Sequence, residues 1–270
     1  MTTGRAARFA GRTCLITGST GMAASAARSI AAEGGAVFVV SRTPAHAETL
    51  ARAIVADGGD AAWHAADVAR EPEVEAAVAA CVDRFGRIDA VYSAAGISGR
   101  QFGDGPLYKM TLHGWETVME ANATSQFLVC RAVLRRMLDQ TPDAMGTRGV
   151  LLTMSSTLAT HPAAGHFATH AYAASKGAIE AFTRAVAAFY APHKIRANAI
   201  APALVATPMS RRAQDDPEIR AYLARKQPLA EGPIDPDDVT RAALFLLSDD
   251  SRMVTGQVLA VDGGWSVSEG

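Results

Sequence analysis

The run Tyr172-Ala173-Ala174-Ser175-Lys176 sets a phenol and an ammonium four residues apart. On a helix those positions share one face, about 6 Å apart along the axis. A phenol of ordinary pKa, about 10, is a poor base at neutral pH. A cation about 4 Å away, at an effective dielectric near 20, is worth up to about 4 kcal/mol, enough to lower that pKa and make Tyr172 a usable acid/base for an alcohol proton. The pair alone is common by chance, and taken alone it reads better as a surface Tyr–Lys pair. A second candidate is Thr17-Gly18-Ser19-Thr20-Gly21-Met22-Ala23. Glycines at a strand-to-helix turn let the backbone approach a pyrophosphate, and the helix N-terminus supplies free N–H donors. Taken alone it also fits a simple tight turn. Farther on, Val39-Val40-Ser41-Arg42 ends a strand with a hydroxyl and a guanidinium. A carboxylate there would hold the ribose of NAD and repel a 2′-phosphate, whereas Ser41 and Arg42 suit that phosphate. NADP(H) is favoured, NAD(H) remains possible, and a solvated loop charge is the bland alternative for Arg42.

Positioning these groups requires an ordered scaffold, and the chain reads as one. Short β-branched runs at Thr13–Ile16, Val37–Val40, Ala61–His64, Ile88–Tyr92, Val150–Met154, Arg196–Ile200 and Gln257–Val261 predict strands. Between them, helical periodicity predicts helices near 22–33, 44–57, 71–84, 111–138, 171–191 and 236–247. Strand–helix alternation with apolar strands buried on both faces predicts a doubly wound, seven-stranded parallel sheet. No Pro/Ser-rich linker or repeat divides the chain, so 1–270 reads as a single dinucleotide-binding and catalytic domain. In such folds ligands bind beyond the carboxyl ends of the strands. The irregular segments 96–106 and 201–236 should edge that crevice, with a mobile lid near 205–230 or, alternatively, an ordinary surface helix pair.

Composition narrows the functions. The 270 residues are 49% hydrophobic and 20% charged, with Lys+Arg 26 against Asp+Glu 27. That suffices for a large core and leaves no basic excess to neutralise a phosphate backbone, which argues against nucleic acid as partner. Apolar runs such as Ala36–Val40 are strand-sized, too short to cross a bilayer, and the N-terminal segment, with its two arginines, lacks the apolar stretch of a signal peptide. The expectation is a cytoplasmic protein without membrane contact. Cys14, Cys81 and Cys130 lie far apart in apolar stretches and read as buried, reduced thiols.

In chain order the sequence carries the glycine turn, Asp67, Ala95-Gly96, Asn122, Ser155-Ser156, the Tyr172/Lys176 pair, Pro202 with Thr207, and Asp262-Gly263-Gly264. This resembles the single-domain short-chain dehydrogenase/reductase family over residues 9–267, most closely in Val254–Gly264. The resemblance implies a Rossmann fold in which Tyr172 is the acid/base and Lys176 lowers its pKa while holding the nicotinamide ribose. It implies that Ser156, second of its pair, orients the substrate oxygen and that Asn122 positions a water beside Lys176. Gly18, Ser19, Thr20, Gly21 and Met22 would meet the pyrophosphate, Asp67 and Val68 the adenine, Val205 and Thr207 the carboxamide, and Ser93, Ala95 and Gly96 the cofactor after the fourth strand. It further implies a homotetramer built on the helices near 111–138 and 171–191. The sequence departs from the family pattern in a glycine turn one residue shorter with Ala23 at the third glycine, in Ser93-Ala94-Ala95-Gly96 for the usual Asn-Asn-Ala-Gly, in Pro202-Ala203 for Pro-Gly, and in a longer stretch between Ser156 and Tyr172.

That longer stretch holds His161, His166 and His170. Their spacing in a Gly/Pro-containing loop without carboxylates matches no ligand pattern, so no metal is expected; one or two of them would line the substrate entrance, or are polar loop residues. The reading that results is an NADP(H)-dependent oxidoreductase interconverting a secondary alcohol and a ketone. β-Ketoacyl-thioester reduction is the alternative within enzymes; an enoyl reductase would space its Tyr and Lys more widely. From another class comes a non-catalytic dinucleotide sensor or scaffold, whose mark would be a missing Ser, Tyr or Lys.

Overall fold

The structure, a computed structural model, describes residues 7–269. Residues 1–6 and Gly270, the ends of the expected 1–270 domain and the start of the N-terminal segment read above, lie outside the described residues. Seven parallel strands form one sheet in the order β3-β2-β1-β4-β5-β6-β7. They are β1 Thr13–Thr17, β2 Ala36–Ser41, β3 Asp60–Ala65, β4 Ala90–Ser93, β5 Gly149–Met154, β6 Ile195–Pro202 and β7 Val258–Val261.

Side chains alternate between two cores, as the pleat requires. Cys14, Ile16, Val37, Val39, Tyr92 and Leu152 join one cluster, while Leu15, Phe38, Val40, Val91 and Leu151 join the other. The first core is closed by helices α1 Gly21–Ala32, α2 Pro44–Ala56 and α9 Pro236–Leu247; the second by α3 Glu71–Phe85, α5 Ser125–Asp139 and α6 His170–Tyr190. Burying each Leu, Ile or Val on both faces contributes about 1.5–3 kcal/mol, which is why these strands are apolar without interruption. The expectation of two-sided burial holds for β1, β4, β5 and β6 and fails at the edges, where β3 and β7 are half-buried because each has a neighbour on one side alone.

The predicted helix over 111–138 is three pieces: α4 Leu112–Met119, a wider π turn at Glu120–Thr124, and α5. The segment after β6 forms α7 Arg211–Asp215 and α8 Pro217–Lys226, the latter capped by Asp216, whose carboxylate accepts from the N–H groups of Glu218 and Ile219. No helix among the described residues is long and apolar enough to cross a membrane. The chain order reverses between β1 and β4, so a crevice opens at their carboxyl ends.

Candidate active site

Two adjoining cavities occupy that crevice, of about 320 Å³ around the glycine turn and about 300 Å³ around Tyr172. Met22, Ala94, Gly96, Ile97, Thr207 and Met209 belong to both walls, making one continuous cleft.

The first cavity is a cradle of backbone. Gly18 N–H is tied to the Val40 carbonyl at 2.8 Å, fixing the loop to the end of β2. Gly21 opens α1 at φ +53, and a Cβ there would stand 2.8 Å from the Thr207 methyl, so only glycine fits. Thr20 caps α1 without a side-chain bond and the first turn holds no acid, which leaves the N-terminal amides free for an anion. Ser19 Oγ donates to Ser41 Oγ at 2.9 Å, and Arg42, exposed beside them, faces the same cavity with Asp67 and Val68 opposite. This set of backbone amides and hydroxyls at the start of α1 could hold the phosphates of a dinucleotide.

The second cavity holds the proton-transfer candidates. Tyr172 and Lys176 stand on the first two turns of α6, and Ser156 follows β5. The Ser156 hydroxyl is close enough to the Tyr172 phenol to favour its ionised form. Both serines line the cavity, but Ser155 donates to Glu180 Oε1 at 2.9 Å, so of the pair it is Ser156 whose hydroxyl is available to a ligand. Lys176, 2% exposed, donates through Nζ to the Met154 carbonyl at 2.8 Å. Gln126 clamps that same residue, donating to its carbonyl and accepting from its N–H, both at 3.0 Å.

Lys176 Nζ lies 5.5 Å from the Tyr172 ring centroid while it bonds the Met154 carbonyl. Burial therefore dominates both groups. It raises the Tyr172 phenol above its ordinary value, opposed by the Ser156 hydroxyl, and lowers the Lys176 ammonium to about 7.

Asn122, in the π turn, is buried behind this wall. Its Oδ1 accepts from Ile97 N–H at 2.8 Å, and its Nδ2 donates to the Ile97 carbonyl and to Ser175 Oγ, both at 3.1 Å. Both of its side-chain donors are thus spent on protein, and it holds the strand-four loop against α6. Gly96 is pressed on it: a Cβ there would meet Asn122 Oδ1 at 2.7 Å. Ser93, expected at the cofactor, ends β4 at 1% exposure and lines neither cavity; Ala94, Ala95 and Gly96 do. Val205 lines the second cavity and Thr207 both.

Sequence reading missed Asp104. Its carboxylate, 6% exposed, accepts from Ala171 N–H at 3.0 Å and Tyr172 N–H at 2.9 Å. Thr169, the local N-cap, makes no side-chain cap bond, so a loop far away in sequence caps the helix that carries Tyr172. The glycines that precede Asp104 were the available signal, since Gly99 and Gly103 both turn at positive φ. Among the described residues no cluster of three or more His, Cys, Asp or Glu could hold a metal.

Comparison with known proteins places this geometry. A family model described as "Enoyl-(Acyl carrier protein) reductase" matches residues 16–266. Momilactone A synthase of Oryza sativa is 36% identical over 271 residues, covering 97% of this chain and 92% of that protein. 3beta-Hydroxysteroid dehydrogenase 1 of Eggerthella lenta is 36% identical over 262 residues, covering 96% and 95%. Among solved structures, a gluconate 5-dehydrogenase from Burkholderia cenocepacia in complex with NADP and tartrate superposes with a TM-score of 0.85 at 33% identity, covering 96% of each chain. With its ordered motifs, its parallel sheet and these relatives, the chain belongs to the short-chain dehydrogenase/reductase family of oxidoreductases.

Proposed function

We propose that the protein interconverts a secondary alcohol and a ketone with NADP(H), using Tyr172 as general acid/base. The observation that carries this reading is that Tyr172, Ser156 and buried Lys176 line one cavity, continuous with the glycine-turn cradle. The steroid dehydrogenase relative and the NADP complex of the gluconate dehydrogenase neighbour support the substrate class and the cofactor.

In this reading Gly18, Ser19, Thr20, Gly21 and Met22 hold the pyrophosphate at the start of α1. Asp67 and Val68 meet the adenine, Ser41 and Arg42 the 2′-phosphate, Ala95 and Gly96 the floor between the cavities, and Val205 and Thr207 the carboxamide. A nicotinamide held there would be the hydride donor or acceptor for the substrate carbon. Tyr172, kept neutral by burial, gives its phenolic proton to the carbonyl oxygen while the Ser156 hydroxyl donates a hydrogen bond to the same atom. Lys176 Nζ, held by the Met154 carbonyl behind the phenol, would meet the nicotinamide ribose. Asn122 keeps the wall in place through Ile97 and Ser175.

The same reading makes 1–270 one domain acting in the cytoplasm, with α7 and α8 as a lid. Met209, Arg212 and Ala213 from this segment line the cavity. It also includes a homotetramer, for which the exposed Phe127 and Phe189 on α5 and α6 offer apolar contact.

The test is NADPH and NADH oxidation by the purified protein across sugars, steroids, diketones, keto acids and acyl thioesters, beside Tyr172→Phe. Turnover lost in Tyr172→Phe with NADPH still bound is expected. Turnover retained by Tyr172→Phe refutes the role of the tyrosine, and tighter binding of NADH than NADPH refutes the cofactor.

A further inference from the structure

Two cations meet at the outer end of the Tyr172 cavity. Arg100 comes from a short turn, Arg100–Phe102, after β4, and Arg212 from α7; both line the cavity that Tyr172 and Ser156 line. Their Nη2 groups donate to one acceptor, the His166 carbonyl, with Arg212 at 3.4 Å. Arg100 is half-buried and Arg212 exposed. Neither guanidinium is paired with a carboxylate among the described residues. Asp104 attracts Arg100, but both of its oxygens are engaged by the N-terminal amides of α6. Burial and the charge of Arg212 together lower the Arg100 pKa. A half-desolvated guanidinium held against a second one is an unfavourable arrangement that an anion between them would relieve. Leu158, Phe167, Leu204, Ala213 and Trp265 give the cavity an apolar wall, beside polar Gln101, Thr157 and Ser210.

We propose that Arg100 and Arg212 form a carboxylate-binding subsite, so that the substrate of the Tyr172 centre is a small hydroxy or keto acid with an apolar body. The inference rests on the oxidoreductase reading above. Planar guanidiniums match the fork of a carboxylate, which makes two bidentate or shared hydrogen bonds available. A cavity of about 300 Å³ suits a small molecule rather than a long chain. The acid end is anchored at the mouth, and the carbonyl end is directed inward to Ser156 and Tyr172. Both arginines are specificity-determining residues and neither touches the reacting atoms.

The test uses 5-oxohexanoate and its methyl ester with NADPH, on the wild type and on Arg100→Gln, Arg100→Lys and Arg212→Gln. The readout is the ratio of kcat/KM for acid over ester, which a loss of folded protein leaves unchanged. The wild type should prefer the acid by tenfold or more, and each Gln variant should cut that ratio about tenfold, mainly through KM for the acid. Arg100→Lys should keep part of the preference, since the charge remains and the fork is lost. Added salt should erode the Arg212 share, because that residue is exposed. In parallel, melting curves with NADP and hexanoate, against hexanol, read binding without turnover. Hexanoate should raise the melting temperature of the wild type and not of Arg212→Gln. Turnover with equal preference for acid and ester, or a ratio unchanged in both Gln variants, overturns the subsite and leaves the oxidoreductase reading standing. Hexanoate stabilisation lost in Arg212→Gln, without turnover of any carbonyl, upholds the anion site and overturns the oxidoreductase reading.

Discussion

Replacing Asp104 by alanine should loosen the helix on which the proton donor stands. The carboxylate satisfies two buried N–H groups, of Ala171 and Tyr172, at 3.0 and 2.9 Å. No local group takes over, because Thr169 Oγ1 donates to the Phe167 carbonyl. Loss of an ordinary N-cap costs about 0.5–2 kcal/mol, and each buried donor left unpaired costs about 1–3 kcal/mol. The favourable charge at the helix N-terminus adds about 0.3–1 kcal/mol. These overlap, so the sum expected for Asp104→Ala is about 3 kcal/mol, or about 6–12 °C in Tm for a domain of this size. Asp104→Asn keeps one carbonyl acceptor and should lose about half as much. Because the first turn of α6 carries Tyr172, kcat should fall as well, about a hundredfold if the phenol shifts by 1 Å. Thermal melts and steady-state kinetics on the three proteins, at one pH and cofactor concentration, decide the matter. An alanine variant melting within 2 °C of wild type, with kcat intact, would refute the view that this loop residue is the cap of α6.

Other perturbations separate the roles assigned above. Burial lowers the Lys176 ammonium to about 7 in the folded protein, below the 10.5 of an exposed lysine, so the unfolded chain binds more protons between those values and stability should rise with pH across that window; Lys176→Met should flatten the rise in Tm from pH 7 to 10, and an unchanged slope would refute the burial argument. Arg42→Ala should weaken NADPH binding about tenfold or more with little change for NADH, as judged by fluorescence titration, since a charge-assisted contact to the 2′-phosphate contributes about 1.5–3 kcal/mol. Ser155→Ala should cost about 1–3 kcal/mol of stability by leaving Glu180 short of a donor, whereas Ser156→Ala should lower kcat with little change in Tm; identical behaviour of the two would contradict their assigned directions.

The fold was legible where local chemistry and burial agree. Val37–Val40 and Val150–Met154 lie inside strands because β-branched and apolar residues fill both cores at once. The edges of β4 were less so: the sequence suggested Ile88–Tyr92, but Asp89 is spent bonding Thr13 N–H and Arg87, and pairing in the sheet begins at Ala90. The π turn was invisible, since Glu120–Thr124 continues the helical periodicity and widens to place Asn122 against Ile97. At the site, short-range motifs announced Gly18, Gly21, Tyr172 and Lys176. Groups brought together by tertiary structure were silent: Asp104 with the start of α6, and Arg100 with Arg212 on one carbonyl. Nor could spacing reveal that Lys176 would turn to Met154, because the carbonyl it meets ends a different strand.

The cap of α6 has a consequence for how substrate preference can change over evolution or in the laboratory. The segments that shape the Tyr172 cavity include the turn around Arg100, the stretch from Ser156 to Thr169, and α7. Only the first also carries Asp104, so insertions or exchanges there alter the cavity and the helix beneath the phenol together. Helix α7 and the 160–168 stretch carry no such second duty toward Ala171 and Tyr172. Libraries that vary them can explore new substrates while the acid/base machinery keeps its foundation, whereas variation around Asp104 couples a gain in recognition to a loss of turnover.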